Sequence, residues 1–328
     1  MIIDNFKPFV GQHCETTATG SLLNQLGLEF SEPMLFGIGQ GLGYLIWKMK
    51  TMDFPFIGGR VKTDQLTENI CRNLDLELRV KETSSVKKAW ENIKGTLSKG
   101  KAVGLKLDCY HLEYFSNKIH FAGHYVAMYG YDENYAYLVD TDQQGGQVKT
   151  TLKNLALARN ENGPMSSRNK SYTIEQIEDL PDLKSVVKKA IYDNTEIYLN
   201  PPIKNFGYMG IKKTATEIYK WYRSSLNIKE EFQTSAILME RAGTGGALFR
   251  NLYTDFLEES AALLENQEIE LVHKDFSIIA RSWTEIAHLF HEIGETQDEN
   301  YIKRASEILL DLSRKERSAM LRLKKACT

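Results

Sequence analysis

Apolar residues follow different periods in the two halves of the chain. Before about residue 178, short segments such as 102–108, 124–131, 135–139 and 171–174 alternate or run apolar over four to eight positions, which predicts strands. From about residue 182, apolar residues recur at spacings of three and four, which predicts successive amphipathic helices. The pattern therefore predicts an α+β fold. A domain with a mainly antiparallel sheet spans residues 1–178, and an all-helical domain spans residues 179–328.

Three helices are also predicted within the first half. Residues 14–28 carry leucines at helical spacing, residues 63–74 form a short periodic segment, and residues 84–97 begin at two serines that are suitable helix caps. Residues 36–44 have glycine at alternate positions, and we expect a bend or a strand there.

Three residues have the order that a papain-like thiol catalyst requires. Cys14 opens the first predicted helix, and His124 and Asp140 lie at the ends of two successive predicted strands. A helix N-terminus and a nearby imidazolium both favour the thiolate, and a carboxylate orients the imidazole. We therefore expect Cys14 to be the nucleophile, His124 the acid and base, and Asp140 the orienting group. Asp142 is the alternative for the orienting role.

The hairpin between His124 and Asp140 imposes a condition on this hypothesis. Side chains alternate between the faces of a strand, so a two-residue loop at Glu133 and Asn134 places His124 and Asp140 on opposite faces. A loop with an odd number of residues, or a bulge near Gly130, returns them to one face. One of these two features is therefore predicted.

A thiol catalyst also needs hydrogen-bond donors for the tetrahedral oxyanion. The backbone N–H of Cys14 is the expected donor, because it belongs to the first turn of a helix. Gln12 and His13 are the candidates for a side-chain donor. Gly39 and Gln40, in the glycine-rich run, are candidates for lining the acyl pocket.

Several short segments resemble the family typified by butirosin biosynthesis protein H, a relative of the papain-like C39 peptidase fold. In the first half these are GQHCET (residues 11–16), FGIGQGL (36–42), GHYV (123–126) and VD (139–140). NPPIKNFG (200–207) and GGALFR (245–250) resemble the helical domain that often follows it.

The resemblance implies a cysteine acyltransferase of a biosynthetic pathway. Cys14 would take an acyl or aminoacyl group from a pantetheine thioester, carried by an acyl carrier protein, and pass it to a small-molecule amine. His124 would act as base and acid, and Asp140 would orient it. No cofactor is expected beyond the phosphopantetheine of the donor. A cysteine peptidase or amidase with the same triad, and an inactive binding scaffold, are the alternatives.

Composition limits the classes of partner, cellular location and metal that we expect. The formal net charge of −2 gives no reason to expect a nucleic-acid or anionic-membrane partner, and no apolar run approaches the length of a membrane span. The four cysteines have no CxxC spacing, which favours a reducing cytoplasm over a disulfide framework. Three pairs could be metal ligands: His120 with His124, Cys109 with His111, and His288 with His291, which lacks the Glu of HExxH. They look more like surface or core residues, so no catalytic metal is expected. The long C-terminal helices permit a homodimer.

Overall fold

A computed structural model of the chain describes residues 1–48, 54–163 and 165–328, and these residues form two compact units. The first unit comprises residues 1–35 and 63–181, and the second comprises residues 36–62 and 182–328. The chain passes between the units three times, and the last crossing, at residues 181 and 182, lies close to the predicted boundary at residue 178. The assignment of residues 36–62 to the helical unit is a difference from the predicted division.

The described residues contain eleven α-helices and eight strands. The helices are α1 (Cys14–Gln25), α2 (Glu32–Ile38), α3 (Gln65–Asn73), α4 (Val86–Leu97), α5 (Leu152–Arg159), α6 (Leu183–Leu199), α7 (Gly207–Ser224), α8 (Ile228–Glu240), α9 (Arg250–Leu264), α10 (Gln267–Thr296) and α11 (Glu299–Ala326). The strands are β1 (Leu42–Trp47), β2 (Phe56–Arg60), β3 (Leu76–Lys81), β4 (Val103–Leu107), β5 (His124–Tyr131), β6 (Tyr135–Val139), β7 (Gln147–Thr151) and β8 (Ser171–Gln176).

The first unit is built on one antiparallel sheet of six strands. Their order is β3-β8-β4-β5-β6-β7, and every neighbouring pair is antiparallel. Helix α1 packs against β5, and its first ten residues are all buried. A second apolar cluster joins α4 and α5 to β4, β5 and β6. The α+β class and the antiparallel sheet that the sequence predicted are confirmed.

Local chemistry explains where several helices begin. The Ser85 side chain accepts a hydrogen bond from the Lys88 amide at the start of α4, and Asp182 caps α6 in the same way. The strands predicted at 102–108, 124–131, 135–139 and 171–174 are all present, with small changes at their ends. Strands β3 and β7 and helix α5 were not predicted.

The expectation for residues 36–44 is wrong in part. Residues 36–38 end helix α2, and the strand β1 begins only at Leu42. The sequence also predicts a loop at residues 160–164. Residues 160–163 lie in turn, coil and bend, and Pro164 lies outside the described residues.

In the second unit, the β1–β2 hairpin packs against helices α6, α7 and α8. The Ile46 amide donates to the Asn205 carbonyl oxygen at 3.0 Å, and the Tyr44 hydroxyl bonds Thr214 of α7 at 2.6 Å. Tyr44 is almost fully buried, so burial raises its pKa far above the usual range. These bonds explain why residues 36–62 fold with the helical part.

A fully buried ion pair lies at the centre of the second unit. The Arg250 guanidinium donates to both oxygens of Glu316, at 3.0 and 2.9 Å, and neither side chain is exposed. The Trp283 indole N–H and the Tyr198 hydroxyl also donate to Glu316, and Arg250 reaches the carbonyl oxygen of Gly59 in β2 at 3.4 Å. The network thus links α6, α9, α10, α11 and the hairpin.

None of the helices in the described ranges combines the length and the apolar character that crossing a membrane requires.

The substitution Arg250→Met should lower the unfolding free energy of the second unit by more than the loss of the Arg250 contacts alone. The Glu316 carboxylate would stay buried without its cation, and breaking such a pair costs about 3–5 kcal/mol of unfolding free energy. The matched control is Arg304→Met, which removes an exposed pair with Glu285 and should cost about 1 kcal/mol or less. Urea unfolding measures both, and equal losses would contradict this account of the network.

Candidate active site

The hairpin of β5 and β6 contains the bulge that the triad hypothesis required. Ala127 pairs with Val139 and Met128 with Leu138, but the next pair is Gly130 with Tyr137. Tyr129 is therefore the extra residue on β5. The loop beyond it, between Asp132 and Tyr135, has only two residues, so the bulge alone restores the register. The predicted condition is confirmed.

Residues near the start of the chain complete the hydrogen bonds of this bulge. The Ile3 amide donates to the Tyr129 carbonyl oxygen at 3.0 Å, and the Tyr131 amide donates to the Met1 carbonyl oxygen at 2.7 Å. A Cβ on Gly130 would lie 2.9 Å from the Met1 carbonyl oxygen, so this approach requires glycine.

His124 and Asp140 are directly bonded, because the bulge places both on one face. The imidazole Nε2 lies 2.8 Å from Asp140 Oδ2, and both residues are buried. The same carboxylate oxygen accepts from the Tyr114 hydroxyl at 2.8 Å, and Oδ1 accepts from the Thr141 amide at 2.7 Å. The carboxylate is therefore held on both oxygens. Tyr114 carries no local sequence signal of this role, and sequence reasoning missed it.

Cys14 is the first residue of α1, and its thiol lies near enough to His124 to raise the pKa of the imidazole. Because Nε2 faces Asp140, Nδ1 is the ring nitrogen that remains for the sulfur. Burial alone would lower the pKa of His124. The charges of Asp140 and Cys14, with the hydrogen bond to Asp140, outweigh burial and hold that pKa well above its usual value. The arrangement therefore favours an imidazolium beside the sulfur at neutral pH.

Asp142, the alternative orienting residue, does not occupy that position. Its side chain is exposed, and its backbone amide donates to the Gly11 carbonyl oxygen at 2.9 Å. The Asp140 amide in turn donates to the Gly146 carbonyl oxygen at 2.8 Å. The turn after β6 therefore holds both the aspartate and the segment that leads to Cys14.

The Glu32 carboxylate fixes the segment before α1. It accepts hydrogen bonds from the backbone amides of Gln12 and His13, each at 2.8 Å, and from the Thr16 hydroxyl at 2.7 Å. A Cβ on Gly11 would lie 2.6 Å from a Glu32 oxygen, so glycine is needed for this approach. Sequence reasoning missed Glu32, since nothing near it marks an acceptor for amides about twenty residues away.

The four oxyanion and pocket candidates lie in two different units. His13 is the buried N-cap residue of α1, and Gln12 is exposed beside it. Gly39 and Gln40 belong to the second unit, where the side-chain Nε2 of Gln40 donates to the Asp193 carboxylate at 3.3 Å. Their roles stay predictions.

The other three cysteines are in surroundings that oppose ionisation. Burial raises the pKa of Cys71 to about 12 and that of Cys327 to about 11, and burial also raises the pKa of Cys109. All four cysteines are free thiols.

Replacing Glu32→Ala should destabilise the first unit and misplace Cys14. Three donors lose a charged acceptor, so we expect a loss of about 2 kcal/mol or more in unfolding free energy and slower alkylation of Cys14. Glu32→Gln, which keeps one acceptor oxygen, should be intermediate.

Glu29→Ala is the matched control, because Glu29 is exposed and pairs only with exposed Lys7 in the described contacts. Urea unfolding and the rate of iodoacetamide labelling provide the two measurements. Identical behaviour of the Glu32 and Glu29 variants would refute the positioning role.

Two family models together match most of the chain. One, described as "Butirosin biosynthesis protein H, N-terminal", matches residues 13–141, and these include Cys14, His124 and Asp140. The other, described as "Domain of unknown function (DUF4872)", matches residues 153–323. No curated protein matches the sequence. The first name suggests a biosynthetic enzyme. With the site's geometry, these matches place the chain in the butirosin biosynthesis protein H-like family, as a member whose N-terminal domain is followed by a DUF4872 domain.

Proposed function

We propose that the protein is a cysteine-dependent acyltransferase that forms an amide in a biosynthetic pathway. The observation that carries the proposal is the 2.8 Å hydrogen bond between His124 and Asp140, with the Cys14 thiol near the imidazole at the start of a buried helix. A thiol, an imidazole and a carboxylate in this order are the parts of a nucleophilic acyl-transfer catalyst.

In the first half-reaction, the Cys14 sulfur attacks the carbonyl carbon of an acyl thioester. A bond forms between that carbon and Cys14, and the bond from the carbon to the pantetheine sulfur breaks. The His124 imidazolium gives its proton to the departing thiolate. The products are an acyl-enzyme and a free pantetheine thiol, so atoms and charge balance.

In the second half-reaction, an amine attacks the acyl-enzyme. His124, now neutral, accepts a proton from the amine while the bond between the carbonyl carbon and the Cys14 sulfur breaks. An amide leaves, and the thiolate–imidazolium pair is restored. The backbone N–H of Cys14 is the proposed donor to the oxyanion in both halves, since first-turn amides have no acceptor within their own helix.

Asp140 supports both steps without exchanging a proton. It fixes the ring of His124 with Nδ1 towards Cys14 and stabilises the imidazolium. The bonds from Tyr114 and Thr141 hold the carboxylate in place. The acyl carrier protein and the small-molecule amine belong to this proposal as donor and acceptor, and the family name motivates both.

Acyl transfer is tested by intact-mass spectrometry after mixing the protein with acyl-pantetheine thioesters. We expect one acyl adduct on the wild type, none on Cys14→Ala, and an unchanged adduct on the control Cys327→Ala. Addition of small amines should discharge the adduct faster than water alone does, because transfer requires the amine to compete with water.

Two results would change the proposal. An adduct that water discharges at the same rate with and without amines would indicate a cysteine peptidase or amidase. No adduct from any donor, together with a Cys14 that resists iodoacetamide, would indicate an inactive scaffold.

A further inference from the structure

We propose that the first unit has a binding site for a divalent transition metal ion, of the Zn²⁺ class, formed by His111, His120 and Glu161. The potential ligand atoms of these three side chains all lie within 4.8 Å of one another. Two imidazoles and one carboxylate are a common set of three protein ligands for Zn²⁺, with water as the fourth. The site does not depend on the proposed acyl transfer.

The ligand atoms of one pair lie close to the separation that a shared ion requires. Nε2 of His111 lies 2.9 Å from Oε2 of Glu161, and both side chains are largely shielded from solvent. Two ligand atoms that each lie about 2.0–2.2 Å from one tetrahedral Zn²⁺ are roughly 3.3–3.6 Å apart, slightly more than in this pair. The pair therefore needs little movement to bind one ion.

His120 is oriented by a buried carboxylate. Its Nδ1 lies 3.1 Å from Oδ2 of Asp108, a residue that is 1% exposed, so Nε2 remains for a metal. Asp108 is itself fixed, because its Oδ1 accepts from the amides of Tyr110 and Phe121. A carboxylate that holds the second nitrogen of a ligating histidine is the usual outer partner of zinc sites.

Tyr110 further restricts both imidazoles. Its ring stacks on His120 with centroids 3.9 Å apart and meets the edge of His111 at 5.3 Å. The rings of His111 and His120 are 5.9 Å apart. The two ligating side chains therefore start from restricted orientations, which lowers the entropic cost of binding an ion.

The two histidines lie in the segment between β4 and β5, and this segment also reaches the candidate active site. Tyr114 donates to Asp140, and the Phe115 ring meets the edge of His124 at 5.2 Å. A bound ion would tie this segment to Glu161, beyond the end of α5. We infer that metal binding stiffens residues 109–121 and thereby the contacts around His124 and Asp140.

The test uses the full-length Cys14→Ala protein, so that the candidate nucleophile cannot bind metal. Zn²⁺ titration by calorimetry and Co²⁺ titration by visible absorbance should each give one ion per chain. Adding His111→Ala, His120→Ala or the conservative Glu161→Gln should weaken binding by about tenfold or more, in line with the loss of a ligand or its support. Circular dichroism without metal verifies that each variant is folded.

The control is His288→Ala with His291→Ala, which removes two imidazoles from α10 and should leave the affinity unchanged. Hydrogen exchange in residues 109–121 should slow with Zn²⁺ in the Cys14→Ala protein and not after His111→Ala is added. The proposal would be overturned if the His111 and His120 variants bound Zn²⁺ as tightly as the parent protein, or if only the α10 control lost affinity. It would also be overturned if Zn²⁺ did not change the hydrogen-exchange rate of residues 109–121.

Discussion

The 2.8 Å hydrogen bond between His124 and Asp140 joins two neighbouring antiparallel strands, whose side chains must share a face to meet. A regular hairpin with the two-residue loop of this chain would separate them. The bulge at Tyr129 adds one residue to β5 and brings them together. Residues at the start of the chain bond to the bulge, and Gly130 makes room for them. The candidate site therefore depends on a local irregularity of the sheet.

Long-range hydrogen bonds then hold the two ends of the catalytic chain. Glu32 holds the segment before Cys14, and Tyr114 with the Thr141 amide holds Asp140. These groups hydrogen-bond to one another rather than to water, because the site is largely buried. Such support keeps the thiol and the imidazole in reach of each other, which nucleophilic catalysis requires.

The sequence was sufficient for the features that have a local cause. Alternation identified β5 and β6, and Ser85 marked the start of α4. The parity of the hairpin predicted either an odd loop or a bulge near Gly130, and the structure has the bulge. Features with distant causes were not predictable in this way. The glycines of residues 36–44 suggested a bend or strand, but residues 36–38 are helical.

Residues 36–62 show the same limit at the level of domains. They separate two segments of the first unit along the chain, yet Tyr44 and Ile46 hydrogen-bond to residues beyond 182. Arg250, which pairs with the buried carboxylate of Glu316, also donates to the carbonyl oxygen of Gly59, nearly two hundred residues earlier in the chain. Neither partner carries a local pattern that reveals the other, so single-sequence reasoning placed this boundary by secondary structure alone.

The central claim is that His124 makes Cys14 the reactive thiol, and the alkylation rate of Cys14 tests it most directly. At about pH 6 an ordinary thiol of pKa about 8.5 is almost entirely protonated. Limited iodoacetamide at that pH, followed by peptide mass spectrometry, should label Cys14 before the other three cysteines. His124→Ala should slow this labelling by about tenfold or more, and the exposed control His291→Ala should not. Equal rates in wild type and His124→Ala, or label spread over all four cysteines, would contradict the account.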